Sequence, residues 1–297
     1  MGRRWGLLFS MAFMACTSSE SATPAAATTP AEDAATPTED GGVEAATEAA
    51  PPPRKSSGGT GKLPCTRTDD ANGRSVCVAK VGSVELKIIE PQGMAGTPLA
   101  LGLYVHGDGA AAHKSASALK AMFTWADARH ALMVSALAPN GCAWWQTPTH
   151  DCAGVVREDD IKAENSAALL VAIDAIEKGW DVRADGRYYY GSSGGSIFLA
   201  DQWIPLQGGD RGGVFALMCG GVAPTQKFAW NVGDAVVRGR SSLAFTYGDK
   251  DFLVPDIEGA IDAYKKQSFG VATKVVPGAE HCAFDAHGEA VAVWEAH

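Results

Sequence analysis

A chain that passes from Arg187-Tyr188-Tyr189-Tyr190 straight into Gly191-Ser192-Ser193-Gly194-Gly195, and then into a helical pattern up to about Trp203, has few ways to fold at that point. The tyrosine run reads as a short strand. A serine placed between such a strand and a helix sits on a sharp, strained turn, and neighbours with bulk on either side would block it. Gly191 and Gly195 remove that bulk. Small residues cluster in many turns, so the pattern Gly-x-Ser-x-Gly carries weight only because a strand precedes it and a helix follows. Ser193 is therefore the candidate nucleophile. Ser192 and Ser196 lie beside it, but neither is framed by both glycines. The helix that starts here also aims its first amide groups at any negative charge developing nearby.

The rest of the chain from residue 62 alternates strand-like and helix-like segments, the pattern of an α/β domain with a largely parallel sheet. Val76 to Ile89 reads as a strand pair turning near Gly82-Ser83. Leu99 to Val105 is a continuous apolar run, as in a strand covered on both faces. Helical spacing follows over Ser115 to Arg129, with Leu119, Met122, Phe123 and Ala126 on one face. Ala131 to Leu137 is the next buried strand. Asp159-Asp160 introduce a helix with Ile161, Leu169, Ile173 and Ile176 at helical intervals, its acidic start suiting the helix dipole. The helix from Ser193 is expected to end at Pro205. Val214 to Met218, Leu243 to Tyr247 and Thr273 to Val276 make three further strands, with helices near 256–267 and 287–296.

A serine hydroxyl needs a base to take its proton, and the base needs an acid to orient it. Tyr247-Gly248-Asp249-Lys250-Asp251-Phe252-Leu253-Val254-Pro255 follows one late strand and places the acid at Asp251, with Asp249 as runner-up or as a turn-capping side chain. His281 follows the next strand, within Pro277-Gly278-Ala279-Glu280-His281-Cys282. His287 competes with it but starts the terminal helix. The order Ser193, Asp251, His281 is the chain order of the α/β-hydrolases. An oxyanion needs fixed donors: the Gly194 amide is one, and Gly107 or Asp108, in His106-Gly107-Asp108-Gly109, supplies the other. Asp108 is expected to offer its amide with its carboxylate turned away, and His106 to be a packed, hydrogen-bonded residue steadying the loop. Trp144 and Trp145 form either an apolar wall for an acyl or aryl group or a loop anchored by one buried indole. Trp125 and Trp203, on helical patterns, read as core.

The first sixty positions are different. Arg3-Arg4 and the apolar stretch from Trp5 to Ala15 read as an export signal over 1–16, too short to span a bilayer as a mature helix. Phe13-Met14-Ala15-Cys16 resembles a bacterial lipoprotein signal, in which Cys16 becomes the lipidated first residue. Residues 17–61 are rich in Ala, Thr, Pro, Glu and Gly with almost no large apolar side chain, the composition of a disordered tether. The catalytic domain is then 62–297, attached to a membrane only through the lipid, or secreted outright. Setting Cys16 aside leaves six of the seven cysteines, an even count that points to disulfides in an exported protein. Cys65 and Cys77 flank the turn signal Asn72-Gly73, Cys142 and Cys152 bracket one loop, and Cys219 and Cys282 remain. No Cys-x-x-Cys or His/Cys spacing supports zinc or another metal. The net charge of −9, without a Lys/Arg block, argues against nucleic acid as a partner. The oligomeric state is left open.

Tyr104-Val105-His106-Gly107, the Cys142 to Trp145 loop, Asp181-Val182 to Gly186-Arg187 and the Gly-Ser-Ser-Gly-Gly turn occur in this order. The arrangement resembles secreted poly(3-hydroxybutyrate) depolymerases and feruloyl or acetylxylan esterases within the α/β-hydrolases, over roughly 95 to 290. The resemblance implies hydrolysis of small-molecule or polymeric esters through an acyl-enzyme, with no metal or cofactor and with Ser193, Asp251 and His281 as the triad. Asp108 and Ala143-Trp144-Trp145 depart from the usual family pattern. Two other readings use the same residues differently: a serine peptidase of the prolyl-oligopeptidase type, or a catalytically dead surface-binding module on a tether.

Overall fold

The computed structural model describes residue 59 and residues 61–92, 98–153, 158–224 and 230–297. The export signal, Cys16 and, apart from Gly59 and Gly61, the tether lie outside the described residues. Among the described residues nine strands form one sheet: β1 (Arg67–Ala71), β2 (Arg74–Val81), β3 (Val84–Ile89), β4 (Leu99–Val105), β5 (Ala131–Leu137), β6 (Val182–Ser192), β7 (Val214–Met218), β8 (Ser242–Gly248) and β9 (Gly270–Val276). Their order across the sheet is β1-β2-β3-β5-β4-β6-β7-β8-β9. The first three strands and the β3–β5 pair are antiparallel, and every pair from β5 through β4 to β9 is parallel.

The antiparallel edge follows from its turns. Asn72 and Gly73 both adopt positive φ, 54° and 79°, between the paired residues Ala71 and Arg74. That is the two-residue turn whose twist matches a hairpin, and Asn-Gly is the pair that tolerates it. Cys65–Cys77 staples this hairpin.

Alternation along the strands separates two apolar layers. Leu101, Leu103 and Val105 of β4 face one layer, with Trp203, Ile257 and Tyr264. This side is covered by α4 (Glu164–Gly179), the helical segment α5 (Gly194–Phe198) continuing to α6 (Ile204–Gln207), and α8 (Val254–Lys266). Ala100 and Tyr104 face the other layer, with Leu119, Trp125 and Trp294. That side is covered by α1 (Ala111–Lys114), α2 (Ser117–Ala121), α3 (Phe123–Arg129) and α9 (Ala286–Glu295). A short α7 (Ala235–Arg238) precedes β8.

Three expectations need correction. The helix expected over Ser115 to Arg129 is two short helices, α2 and α3, parted where Met122 leaves the helical region, and Ala116 at φ 56° separates them from α1 before it. Lys87, buried on β3, donates to the carbonyls of His113 and Lys114 and so captures acceptors that a continuing helix would need. Next, Ile161 is not on a helix face but is 56% exposed. The Asp160 carboxylate accepts from the amides of Glu164 and Asn165, so it caps a helix that begins only at Glu164. Finally, the helix after Ser193 does not stop at Pro205. It widens to a π-turn over Leu199–Trp203 and resumes with Pro205 in the first turn of α6. There the absent N–H is not needed.

Candidate active site

In a parallel sheet all strands end on one rim, and loops leaving that rim can meet. Ser193 follows β6 directly, Gly107 lies two residues beyond β4, Asp251 three beyond β8, and His281 five beyond β9. Distant stretches of sequence thus share a small region.

Ser193 has φ 50° and ψ −117°, a conformation that costs any residue with a Cβ. Its amide donates to the Met218 carbonyl at 2.9 Å, tying the turn to β7. The flanking glycines are needed on contact grounds. A Cβ on Gly195 would stand 2.1 Å from the Val105 carbonyl oxygen, and one on Gly191 2.7 Å from the Ser196 nitrogen. The turn is packed against β4 and its own following helix.

The Ser193 hydroxyl is 2.9 Å from Nε2 of His281. On the other side of the ring, Nδ1 lies 2.9 Å from both carboxylate oxygens of Asp251. A carboxylate only accepts, so Nδ1 carries the proton and donates; Nε2 is left as the acceptor for the serine O–H. Asp251 is almost completely buried and is held by the Leu253 amide at 2.9 Å. Asp249 does different work: its carboxylate accepts from the Gly278 amide at 2.7 Å and fastens the loop that carries His281. That loop is also pinned by Lys250 donating to the Ala279 carbonyl and by the Cys219–Cys282 disulfide, which joins the residue after β7 to the residue after His281. His287 is elsewhere, its Nδ1 2.9 Å from the Tyr190 hydroxyl, and burial holds its pKa below the ordinary histidine value.

The second loop crosses the turn. A Cβ on Gly107 would meet the Ser192 carbonyl oxygen at 2.9 Å and Ser193 Cβ at 3.3 Å, so only glycine lets the backbone pass. His106 anchors this loop from below: Nδ1–H donates to the Gly107 carbonyl at 2.7 Å and Nε2 accepts from the Ala138 amide at 3.0 Å. Burial lowers its pKa to about 4, so it is neutral at pH 7. Gly194 opens α5, where an amide has no intrahelical acceptor. The Asp108 carboxylate is not turned away as expected. Its Oδ1 accepts from the Trp145 indole N–H at 2.9 Å, and a Cβ on Gly194 would collide with it. The indole donor draws the carboxylate over the turn.

The paired tryptophans separate. Trp144 is fully buried, packed against His106 and Phe198 at ring distances of 5.9 and 5.1 Å, and is core rather than pocket wall. Trp145 is half-buried beside Gly194. Cys142–Cys152 staples their loop, and Asn140 bridges it by donating to the carbonyls of Ala143 and Thr147. Phe252 escaped the sequence reading. Its ring centre is 4.6 Å from that of His281, and its only sequence signal is a large apolar residue immediately after the candidate acid. Among the described residues, no group of three or more His, Cys, Asp or Glu is placed to hold a metal ion. No described helix is long and apolar enough to cross a membrane.

No protein-family model matches the sequence, and no curated protein does. Solved structures do resemble the fold. A carboxylesterase from Mesorhizobium loti is similar over 74% of this chain and 97% of its own, at 14% identity and a TM-score of 0.53. A ferulic acid esterase is similar over 74% and 94%, at 12% identity and a TM-score of 0.50. An arylesterase is similar over 80% and 86%, at 12% identity and a TM-score of 0.50. At these identities the likeness is one of architecture, and the architecture is the α/β-hydrolase fold.

Proposed function

We propose that this α/β-hydrolase domain is a serine hydrolase that cleaves carboxylic esters, with Ser193 as nucleophile, His281 as base and acid, and Asp251 as the group that orients the imidazole. The observation that carries this reading is the continuous chain Ser193 Oγ–His281–Asp251, each link 2.9 Å, with Ser193 on a backbone turn of positive φ. In the reaction Ser193 Oγ attacks the ester carbonyl while its proton passes to His281 Nε2. The tetrahedral oxyanion is held by the Gly194 amide and by an amide of the Gly107-Asp108 loop. His281 returns the proton to the departing alcohol, leaving an acyl-enzyme. Water, deprotonated by the same nitrogen, then releases the acid and restores the serine.

Substitution S193A is expected to lower hydrolysis of p-nitrophenyl acetate by more than about a thousandfold and to abolish labelling by a fluorophosphonate. Retained turnover or labelling would place the nucleophile elsewhere. The resemblance to poly(3-hydroxybutyrate) depolymerases and to feruloyl or acetylxylan esterases makes polyesters and plant cell-wall esters the first classes to screen. We place the reaction outside the cytoplasm, because three disulfides fit an oxidising compartment. Attachment through a lipidated Cys16 belongs to the same proposal and predicts metabolic labelling with a fatty-acid probe that C16S abolishes.

A further inference from the structure

Phe252 presents 73% of its surface to solvent, the largest fraction among the exposed large hydrophobic residues described. It belongs to neither apolar layer of the fold, so packing gives no reason for an aromatic ring there. Its place is fixed all the same. The residue before it, Asp251, is buried, and the Leu253 amide after it donates to the Asp251 carboxylate. This holds the ring beside the imidazole of His281, with centres 4.6 Å apart at an angle of 44°.

The chemistry proposed above assigns a side to each part of an ester. The carbonyl oxygen must turn toward the Gly194 amide, where Trp145 and the Asp108 carboxylate stand. The alcohol oxygen must come within hydrogen-bond reach of His281 Nε2, because that nitrogen hands it the departing proton. The group attached to the alcohol oxygen therefore passes on the His281 side, against the exposed ring that borders the imidazole. We infer that Phe252 is a specificity-determining residue for the alcohol portion of the ester and selects aromatic or extended alkyl alcohols over small ones. The inference rests on the reading of Ser193 and His281 given under the proposed function. An apolar ring left in water at the mouth of a site gains by being covered, and an apolar alcohol group covers it.

The test compares benzyl acetate with methyl acetate, which share an acyl group, and adds methyl benzoate, whose ring lies on the acyl side. In F252A the ratio of kcat/KM for benzyl acetate to that for methyl acetate is expected to fall about tenfold, the scale of losing part of an aromatic contact. F252W is expected to restore it. The ratio of methyl benzoate to methyl acetate, and the pH midpoint of kcat/KM, should move little. An equal loss on all three esters, or a shifted midpoint, would mean that the ring serves His281 and not the substrate, and would overturn the inference. A loss centred on methyl benzoate would overturn it too, by placing the ring on the acyl side. Fluorophosphonate labelling of the wild-type protein separates this from the parent reading. Labelled protein with an unchanged ester ratio sinks the Phe252 inference alone, whereas wild-type protein that neither labels nor hydrolyses any ester sinks the reading of the site.

Discussion

Ser193 holds φ 50° and ψ −117° with a Cβ attached, where glycine would be at ease. Such a residue stores strain of about 1–3 kcal/mol. Replacing it by glycine releases that strain but adds about 0.4–1 kcal/mol of unfolded-state entropy. S193G is therefore expected to be more stable than S193A by about 1 kcal/mol, and urea unfolding of the two variants compares them directly. Equal stabilities would show that the turn is relaxed. Residue by residue, the site is unevenly legible in the sequence. Ser193, Asp251 and His281 announce themselves because each follows a strand-like run, and chain order says which rim they share. What lies between them does not announce itself. Nothing in Ala143-Trp144-Trp145 tells which indole is buried; that depends on His106 and Phe198, each distant in sequence, closing around Trp144. Nor does Asp108 reveal that an indole N–H will draw its carboxylate over the turn. Phe252 is invisible for a different reason. Exposure is a property of the whole surface, and a phenylalanine in a sequence reads first as core.

At the scale of elements, runs with one strong reason to form are where the sequence places them. Leu99–Val105 and Val214–Met218 are apolar throughout, Ala131–Leu137 is apolar but for the buried Ser135, and as strands covered on both faces they have no competing use. Helices depend on what meets their ends. The segment after β4 has helical periodicity but is cut by a lysine from another strand, and α4 begins late because Asp160 caps from outside it. Helical periodicity carries no information about such partners. The loop bearing His281 is the element on which the proposed chemistry most depends, and Cys219–Cys282 closes a segment of 63 residues around it. In the chain-entropy account, closing a loop of that length stabilises the fold by about 4 kcal/mol. The double variant C219A/C282A is expected to melt about 10 °C lower. It should also label with fluorophosphonate more slowly at temperatures where the strands remain folded, because His281, the proposed base, is no longer tethered to β7. A variant that melts lower yet labels at the wild-type rate would make the bridge a matter of stability alone.

Across the molecule, the response to acid should be set by histidines that the fold keeps neutral. Burial lowers the pKa of His106 to about 4, and His113 also to about 4, with nearby Lys87 adding to the effect. The two rings are 6.1 Å apart, so charging one opposes charging the other. In the unfolded chain both titrate near the ordinary histidine value, and between that value and about 4 the unfolded state binds more protons than the folded one. Stability therefore falls as pH falls through this window, and is fully retained only above it. The loss is about 2 kcal/mol per histidine between pH 7 and pH 5, a range above that in which most carboxylates begin to titrate. His287 is shifted the same way by burial and adds to the loss. Urea unfolding at pH 7, 6 and 5 measures the slope, and H113Q should flatten it. The consequence reaches the rim of the sheet, because a protonated His106 can no longer accept the Ala138 amide that steadies the Gly107 loop. Fluorophosphonate labelling should then fail together with the fold in acid. Stability that stays level down to pH 5 would mean that these rings take up protons in place and are not sealed beneath the loop.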